Sequence, residues 1–454
     1  MKNKLSTSRM WSLGLQHVLA MYAGAILVPL LVGGALGLTQ KQLAYLVAID
    51  LLTCGLATLL QSWTNKYFGI GLPVVLGASF VAVTPMISIG TNYGVSAIYG
   101  AIIAAGLFIF VFANFFGKLI RLFPPVVTGT VVTIIGLSLI PTGIKNMGGG
   151  ANSPDFGSAE NLILAFGVLV LILLINRFFT GFIRSLSVLL GIIVGTVAAF
   201  FMGKVDLAEV KEASWMHFPT PFYFGTPTFE IVPILTMLIV GSVIIVESTG
   251  AFLALAKITN KELTEKDFTR GYRAEGIAIM LGGIFNAFPY NTFAQNVGLV
   301  QLSGVKKRTV TIAAGFILIG LGLVPKIAAL ATIIPTAVLG GATVVMFGMV
   351  VASGINMIST VDFSNNNNLL IIACSVSLGM GATVVPELFA VLPETVRIIF
   401  GDGIITGSLC AIVLNVLLNT KKKEASSMDV QESNIVKRRK RGVFDVDHRP
   451  AQQQ

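Results

Sequence analysis

The sequence predicts an all-α integral membrane protein that crosses the bilayer many times. Of its 454 residues, 54% are hydrophobic and only 11% are charged, against about 25% charged residues in a soluble domain. The mean hydropathy is +0.85. A soluble chain of this length would need several domains, and too few polar residues are present to cover them. The 48 glycines favour closely packed transmembrane helices.

Fourteen membrane spans are predicted from the hydrophobic pattern, because a transmembrane helix needs about 20 mostly apolar residues. The third and tenth spans give the weakest signal, since both are rich in glycine, proline and polar residues. The predicted spans are 11–34, 41–62, 68–89, 96–117, 124–143, 159–177, 183–203, 230–255, 274–289, 290–304, 309–325, 327–352, 367–388 and 395–419.

The distribution of Lys and Arg agrees with fourteen spans and with both termini in the cytoplasm. If the spans alternate from a cytoplasmic N-terminus, 25 of the 31 basic residues fall on the cytoplasmic side, as the positive-inside rule requires. The net charge of +10 therefore reflects topology and does not indicate nucleic acid binding. The basic run Lys437–Arg441 in the polar tail indicates either contact with anionic lipid head groups or a solvated tail.

Other classes of protein lack their usual signals. Cys54, Cys374 and Cys410 lie in apolar runs, and the three histidines are far apart, so neither a disulfide framework nor a metal site is predicted. No cofactor is expected. A membrane enzyme would need a nucleophile–base pair or a metal cluster at the membrane face, and the sequence indicates neither. A channel is disfavoured because a polar binding site lined by aromatic rings would slow conduction.

Two short matches indicate an internal repeat. Residues 124–129 in the fifth span match residues 335–340 in the twelfth, and Ser79-Phe80 in the third matches Thr292-Phe293 in the tenth. Seven spans separate the members of each pair, and an odd number inverts the second copy in the membrane. Inverted repeats around two interrupted segments are typical of secondary transporters, which bind substrate near the midplane.

Both weak spans contain helix breakers. A broken helix leaves backbone groups unpaired, which is tolerated only where protein or a water-filled cavity satisfies them. Those groups would then be available to a polar ligand, although two kinked structural helices would give the same pattern. The breakers are Gly69, Gly71, Pro73, Gly77, Pro85, Pro289, Gly298 and Gly304.

Acidic side chains within the spans are candidate functional residues because a charge is costly in hydrocarbon. Glu247 lies deep in the eighth span, and Glu275 begins the ninth. Burial favours the protonated form of a carboxyl group, so such acids are natural proton carriers. Glu275, Asp50 and Asp402 are equally consistent with a capping or interhelix hydrogen bond. No Lys or Arg lies deep in a span, which favours a neutral or proton-paired solute over an inorganic anion.

A run of amides in the tenth span is the strongest local cluster. Asn291, Gln295 and Asn296 flank Phe293, and Phe80 could supply a second aromatic ring. Amides recognise the edge of a planar heterocycle, and a phenyl ring stacks on its face. An amide pair that joins two helices would explain the cluster equally well on its own.

The run from Gln295 to Gly304 resembles the signature of the nucleobase–ascorbate transporters, also called nucleobase–cation symporters type two. That signature is Gln, Glu or Pro, then Asn, any residue, Gly, four residues, Thr and a basic residue or Gly. Ser303 stands in place of the Thr. Gln16-His17 looks like the family's Gln–His pair. Glu247 falls where the family has its substrate-binding carboxylate, and Glu275 where it has a further functional acid.

The resemblance covers roughly residues 12–418 and implies a homodimer of chains with two inverted seven-span repeats. Spans 3 and 10 would contain short antiparallel strands. Spans 1–4 and 8–11 would form a core domain, and spans 5–7 and 12–14 a gate domain. The expected segments are 1–10 (cytoplasmic N-terminus), 11–117 and 230–325 (core), 118–229 and 326–419 (gate), and 420–454 (basic cytoplasmic tail).

The resemblance also implies a substrate class. Gln at the first signature position goes with purines and Glu is common in uracil carriers, so Gln295 implies an oxopurine. Residues 288–296 and 401–407 look most like bacterial xanthine and urate permeases. Some purine members carry an acid four residues after the span-8 glutamate, where this chain has Ala251. The alternatives are a carrier of uracil or another nucleobase and, less favoured, an inorganic-anion carrier of the same fold.

By this resemblance, the protein is expected to be a proton-coupled symporter that imports xanthine or urate across a bacterial plasma membrane. Glu247 and Gln295 would bind the N–H and C=O edges of the ring. Glu247 or Glu275 would take the proton, and His17 would orient the core. The other expected substrate-binding residues are Ala78, Ser79, Phe80, Phe293 and Asn296.

Overall fold

The computed structural model describes residues 6–119, 123–151, 153–216, 218–393, 396–397 and 400–419. The basic run at 437–441 lies outside the described residues. The helices are α1 Thr7–Ala35, α2 Gln40–Ser62, α3 Val83–Tyr93, α4 Val95–Leu119, α5 Pro125–Met147, α6 Ala159–Phe178, α7 Gly181–Ser185, α8 Ser187–Phe201, α9 Ala208–Glu212, α10 Ile231–Thr259, α11 Glu265–Ile284, α12 Ala294–Ser303, α13 Arg308–Gly322, α14 Pro325–Thr332, α15 Thr336–Ile358, α16 Asn366–Val384 and α17 Gly403–Asn419. The two strands are β1 Leu76–Ala78 and β2 Tyr290–Thr292.

Many of these helices are apolar enough to cross a bilayer, which confirms a helical membrane protein. Within the described ranges, eight qualify by length and composition, namely α1, α2, α4, α5, α6, α10, α15 and α16. Helices α13 and α14 meet at a bend of 80° and count as a ninth if they form one span. Helices α8 and α17 are apolar but shorter. The count of fourteen spans therefore stays a prediction.

The prediction of one continuous span over 327–352 is wrong. Helix α14 ends at Thr332, and α15 begins at Thr336 with Pro335 as its N-cap. Proline has no N–H to donate and disfavours helical geometry in the preceding residue, so the chain breaks there. Because the apolar run continues across this break, the hydrophobic pattern does not reveal it. Pro124 is likewise the N-cap of α5, so both copies of the proline match open a helix.

Helix α11 begins nine residues before the predicted span at 274–289. Thr264 caps its N-terminus by accepting a hydrogen bond from the Asp267 N–H, and the Asp267 side chain bonds back to Thr264. This capping box starts the helix within a charged stretch. Because the first two turns are too polar to resemble a transmembrane helix, hydropathy finds only the later part of α11.

The two strands pair antiparallel, with Leu76 opposite Thr292 and Ala78 opposite Tyr290. The Ser79 N–H donates to the Pro289 carbonyl at 2.8 Å, which extends the ladder beyond β1. A short 3-10 turn, Phe80–Ala82, and α3 follow β1, whereas α12 follows β2. Each strand therefore leads directly into a helix of less than full bilayer length.

Side chains of α2 satisfy the irregular backbone before and within β1. Thr58 Oγ1 accepts from the Leu76 N–H at 3.0 Å, and Gln61 Oε1 accepts from the Ile70 N–H at 2.9 Å. Ser62 Oγ donates to the Val74 carbonyl at 3.2 Å. Non-helical backbone at membrane depth requires such partners, and the polar residues of α2 provide them.

Glycines allow the long helices to pack closely. A Cβ on Gly340 of α15 would overlap with the backbone of Met147 at the end of α5. A Cβ on Gly106 of α4 would lie 2.7 Å from the Gly276 carbonyl of α11, and one on Gly55 of α2 would lie 2.6 Å from the Gly315 carbonyl of α13. Small residues at helix contacts let backbones approach closely in membranes. The high glycine content thus serves helix packing.

Candidate functional site

A cavity of about 200 Å³ lies where the strand-bearing segments face α5 and α15. Four of the residues expected to contact a substrate line it together. These are Phe80, Glu247, Phe293 and Gln295. Asn291 and Thr292 of β2 complete this side of the cavity, and the opposite side is formed by Val132 of α5 and by Met349, Val350 and Ser353 of α15.

Glu247 brings a carboxyl group to this cavity from the middle of α10. Its Oε2 atom is buried and has no hydrogen-bond partner among the described residues. The Asn291 side chain approaches the same carboxyl group. A buried polar atom without a partner is costly, so this oxygen is suited to bind a ligand N–H group or to carry a proton.

Two phenyl rings border the cavity in different settings. Phe293, which is 3% exposed, lies so close to α1 that a Cβ on Gly24 would overlap with its ring. Phe80 packs edge-on against Phe347 of α15, with ring centroids 5.5 Å apart. One ring is therefore fixed against α1, and the other contacts the helix across the cavity.

Glu275 is fully buried behind the cavity and does not line it. It accepts a hydrogen bond from the Ser248 hydroxyl, and that hydroxyl accepts from the Thr292 N–H at 3.3 Å. Ser248, which directly follows Glu247 in sequence, therefore connects Glu275 to β2. The sequence interpretation missed Ser248, although its position next to Glu247 was a signal that could have been used.

His17 and Asn296 form a pair that joins α1 to α12. The Asn296 Nδ2 atom lies 3.1 Å from His17 Nδ1 and donates to the His17 carbonyl at 3.1 Å. If this amide also donates to Nδ1, the ring proton is on Nε2. Asn296 is buried and is not among the residues that line the cavity. The structure therefore places this amide in an interhelix contact next to the cavity.

Ala78 and Ser79 lie in the strand ladder and do not line the cavity. Ala78 is paired with Tyr290, and the Ser79 N–H is bonded to the Pro289 carbonyl. The Ser79 hydroxyl is buried without a partner among the described residues. These two residues shape the segment that carries Phe80.

Asp50 and Asp402 make the hydrogen bonds that were one of the two predicted roles of these acids: a bond between two elements for Asp50 and a capping bond for Asp402. The Tyr290 hydroxyl donates to Asp50 Oδ1 at 3.0 Å and also bonds Thr53, which anchors β2 to α2. Asp402 Oδ1 accepts from the Ile405 N–H at 2.9 Å at the start of α17. Among the described residues, no group of three His, Cys, Asp or Glu is placed to hold a metal ion.

A family model described as a permease family matches residues 8–388, which is most of the chain. This match extends across every residue that lines the cavity. The chain belongs to this permease family, the nucleobase–ascorbate transporters. The resemblance that was based on Gln295, Glu247 and the Gln16-His17 pair is therefore confirmed.

Several members of the family with known names are similar over nearly the whole chain. A uric acid permease of Bacillus subtilis is 64% identical over 434 residues, covering 94% of this chain and 97% of the relative. A xanthine permease of the same organism is 59% identical, covering 91% and 94%. A uric acid transporter of Escherichia coli is 46% identical, covering 91% and 87%.

Solved structures show the same fold at low sequence identity. The transmembrane domain of a cyanobacterial bicarbonate transporter matches with a TM-score of 0.58 at 14% identity, covering 90% of this chain and 98% of that chain. A murine solute carrier 26 anion transporter in the inward-facing state matches with a TM-score of 0.61 at 14% identity, covering 92% and 69%. At this identity, the similarity establishes the fold alone.

Proposed function

We propose that the protein is a secondary transporter that imports an oxopurine, xanthine or urate, together with protons. The observation that carries this proposal is the convergence of Glu247, Gln295 and two phenyl rings in one cavity. It is supported by relatives at 46–64% identity that are named uric acid or xanthine permeases. The protein would act by transport and not by catalysis.

The chemistry of the cavity suits a flat heterocycle that carries both N–H and C=O groups. Gln295 can donate and accept hydrogen bonds, and Glu247 can accept from a ring N–H group. Phe293 and Phe80 offer aromatic contact. The volume of about 200 Å³ is below the ~300–1,000 Å³ of pockets for drug-sized ligands, as expected for a small bicyclic ring.

We infer that the proton is carried close to the substrate. Glu247 has a buried oxygen without a partner and lines the cavity, so substrate binding changes its surroundings directly. Glu275 is the second candidate, because Ser248 connects it to the strand that carries Asn291. His17 would act indirectly, by holding α12 against α1 through Asn296.

The packing of the helices supports two inverted repeats. If α1 corresponds to α10, then α2, α4, α5 and α6 correspond to α11, α13, α15 and α16. Under this correspondence, the α2–α13 contact becomes the α11–α4 contact, and the α6–α15 contact becomes the α16–α5 contact. All four contacts are present. The pairs α5–α15 and β1–β2 map onto themselves. These exchanges are what a two-fold axis in the membrane plane produces.

Fourteen spans would result if the shorter apolar helices α8 and α17 form the seventh pair, with β1 plus α3 and β2 plus α12 as the broken third and tenth spans. The core domain would consist of 11–117 and 230–325, and the gate domain of 118–229 and 326–419. The cavity would then lie between them, since Phe80, Glu247 and Gln295 would belong to the core and Val132 and Met349 to the gate. Movement of one domain against the other would open the cavity to each side alternately.

The expected setting is a homodimer in a bacterial plasma membrane, in contact with lipid. Both termini, including segments 1–10 and 420–454, would lie in the cytoplasm, because this orientation places 25 of the 31 basic residues inside.

Competition uptake tests the substrate class directly. Cells that express the protein would take up labelled xanthine, and unlabelled xanthine, urate, uracil, hypoxanthine, guanine or bicarbonate would be added in excess. We expect xanthine or urate to compete strongly and uracil and bicarbonate to have little effect. Strong competition by uracil, or the absence of xanthine and urate uptake by protein that reaches the membrane, would contradict the proposal.

A further inference from the structure

A second cavity, of about 410 Å³, lies at the end of α10 and the beginning of α13 and shares no lining residue with the first. The orientation predicted from the charge distribution puts these helix ends on the cytoplasmic side. The cavity is lined by Lys261, Lys306, Lys307 and Arg308, together with segment 71–73. None of the described residues that line it is acidic.

Hydrogen bonds hold two of these cations in place. Lys261 Nζ donates to the Ile70 carbonyl at 3.1 Å, and Arg308 Nη1 donates to Thr64 Oγ1 at 2.9 Å. Each bond uses only part of the donor capacity of its side chain, because Lys has three N–H donors and Arg has five. The remaining donors are available to a ligand in the cavity.

The positive charge around Lys261 is only partly compensated by the nearby Asp267. Burial lowers the pKa of Lys261, and the charges of Arg270 and Arg308 lower it further, whereas Asp267 raises it. Asp267 already forms a salt bridge with Arg270. An anion in the cavity would offset this concentration of positive charge.

The start of α13 adds backbone N–H groups beside this cavity. Helix α13 begins at Arg308, and the preceding Lys307 does not cap it through its side chain. The first N–H groups of a helix lack intrahelical partners and favour an anion. Thr309, whose hydroxyl can also donate, lines the cavity.

We propose that this cavity binds a phosphate group. Phosphate oxygens accept hydrogen bonds from Arg, from Lys and from backbone N–H groups at a helix start, and all three kinds of donor meet here. An anionic lipid head group and a soluble phosphate ion both present this chemistry, and the experiment below distinguishes them. The proposal does not depend on the transported substrate.

The experiment uses the purified full-length protein in phosphatidylcholine nanodiscs and measures its Tm. In one arm, phosphatidylglycerol replaces increasing fractions of the phosphatidylcholine. In the other arm, inorganic phosphate is added at constant ionic strength. We expect the Tm to rise in a saturable way in at least one arm, and the arm that responds identifies the source of the phosphate.

Two variants locate the effect in the cavity. Lys306→Gln should weaken the apparent affinity about fivefold, because one basic residue near anionic head groups contributes about that factor. Lys266→Gln removes the same charge from an exposed position on α11 that does not line the cavity, and it should leave the affinity unchanged. If Lys306→Gln does not fold, Lys261→Gln replaces it.

Two results would overturn the proposal. In the first, neither phosphatidylglycerol nor phosphate stabilises the wild-type protein. In the second, Lys266→Gln weakens the response as much as Lys306→Gln, which would mean that diffuse surface charge and not the cavity attracts the anion.

Discussion

Gln295 and Glu247 place an amide and a carboxyl group on the same side of a small cavity, although 48 residues separate them in sequence. Gln295 lies in the first turn of α12, directly after β2, and Glu247 lies in the middle of α10. Two hydrogen-bonding side chains at fixed positions can recognise the edge of a ring, while Phe293 and Phe80 limit the space around its faces.

Replacing Gln295 by Glu should weaken xanthine transport strongly. A carboxylate accepts hydrogen bonds but does not donate them, so a ring carbonyl that faces it meets repulsion. One lost hydrogen bond to a buried polar partner costs about 1–3 kcal/mol, or roughly tenfold to a hundredfold in affinity. The KM of labelled xanthine uptake measures this loss. Gln301→Glu on the exposed side of α12 is the control, and wild-type kinetics for both variants would argue against the role of Gln295.

Adding one methyl group at Gly24 should disturb the cavity without touching a polar residue. The new Cβ would overlap with the Phe293 ring and displace it. Overpacking of this kind forces side chains and backbone to shift, so we expect the displaced ring to raise the KM for xanthine. Gly34→Ala on the same helix has open space around it and should behave as wild type. Equal uptake by the two variants would show that the ring position is unimportant.

The sequence predicted which residue types occur at the site, but it did not predict the hydrogen-bond partner of each side chain. Glu247, Gln295, Phe80 and Phe293 were expected to contact one ligand, and they do line one cavity. Asn296 was expected to bind substrate, but its amide contacts His17. The direction of a side chain depends on strand register and helix rotation, which short motifs do not determine.

At the scale of the elements, two three-residue strands determine where the site lies. They are too short to be stable alone, and side chains from α2, including Thr58 and Asp50, hold them in place. Their glycines and prolines were visible in the sequence as helix breakers. The pairing of strands whose partner residues lie 212 to 216 positions apart was supplied by the family resemblance and not by the hydrophobic pattern.

The contact between α5 and α15 provides a test at this scale. Gly340→Ala would force the start of α15 away from Met147, so we expect a loss of about 1–3 kcal/mol of stability from overpacking. The Tm of the purified Gly340→Ala protein should be lower than that of the wild type. Gly348→Ala, on the same helix but with nothing within 4 Å, is the matched control and should not lower the Tm. An unchanged Tm for Gly340→Ala would contradict the close packing of these two helices.

For the whole molecule, the hydrophobic pattern predicted the class and the approximate order of the spans. It did not predict the break at Pro335 or the early start of α11, because apolar and charged runs there do not coincide with helix ends. The fold is shared with anion transporters at 14% identity. The architecture alone therefore does not determine the substrate.

We propose that Glu247 couples proton movement to oxopurine transport, and gradient-driven uptake distinguishes this role from a purely structural one. Proteoliposomes would be loaded at one pH and diluted into a lower pH with labelled xanthine, with and without a protonophore. Glu247→Gln keeps the shape of the side chain but does not titrate. We predict that it exchanges xanthine across the membrane without accumulating it. Glu247→Ala should lose binding as well, because ligand N–H groups would be left unpaired.

Glu230→Gln, at the exposed start of the same helix, is the control and should accumulate xanthine as the wild type does. If Glu247→Gln still concentrates xanthine in a protonophore-sensitive way, Glu247 does not carry the proton, and Glu275 becomes the leading candidate. If the wild-type protein accumulates xanthine with no sensitivity to the pH gradient or to the protonophore, proton coupling itself is wrong.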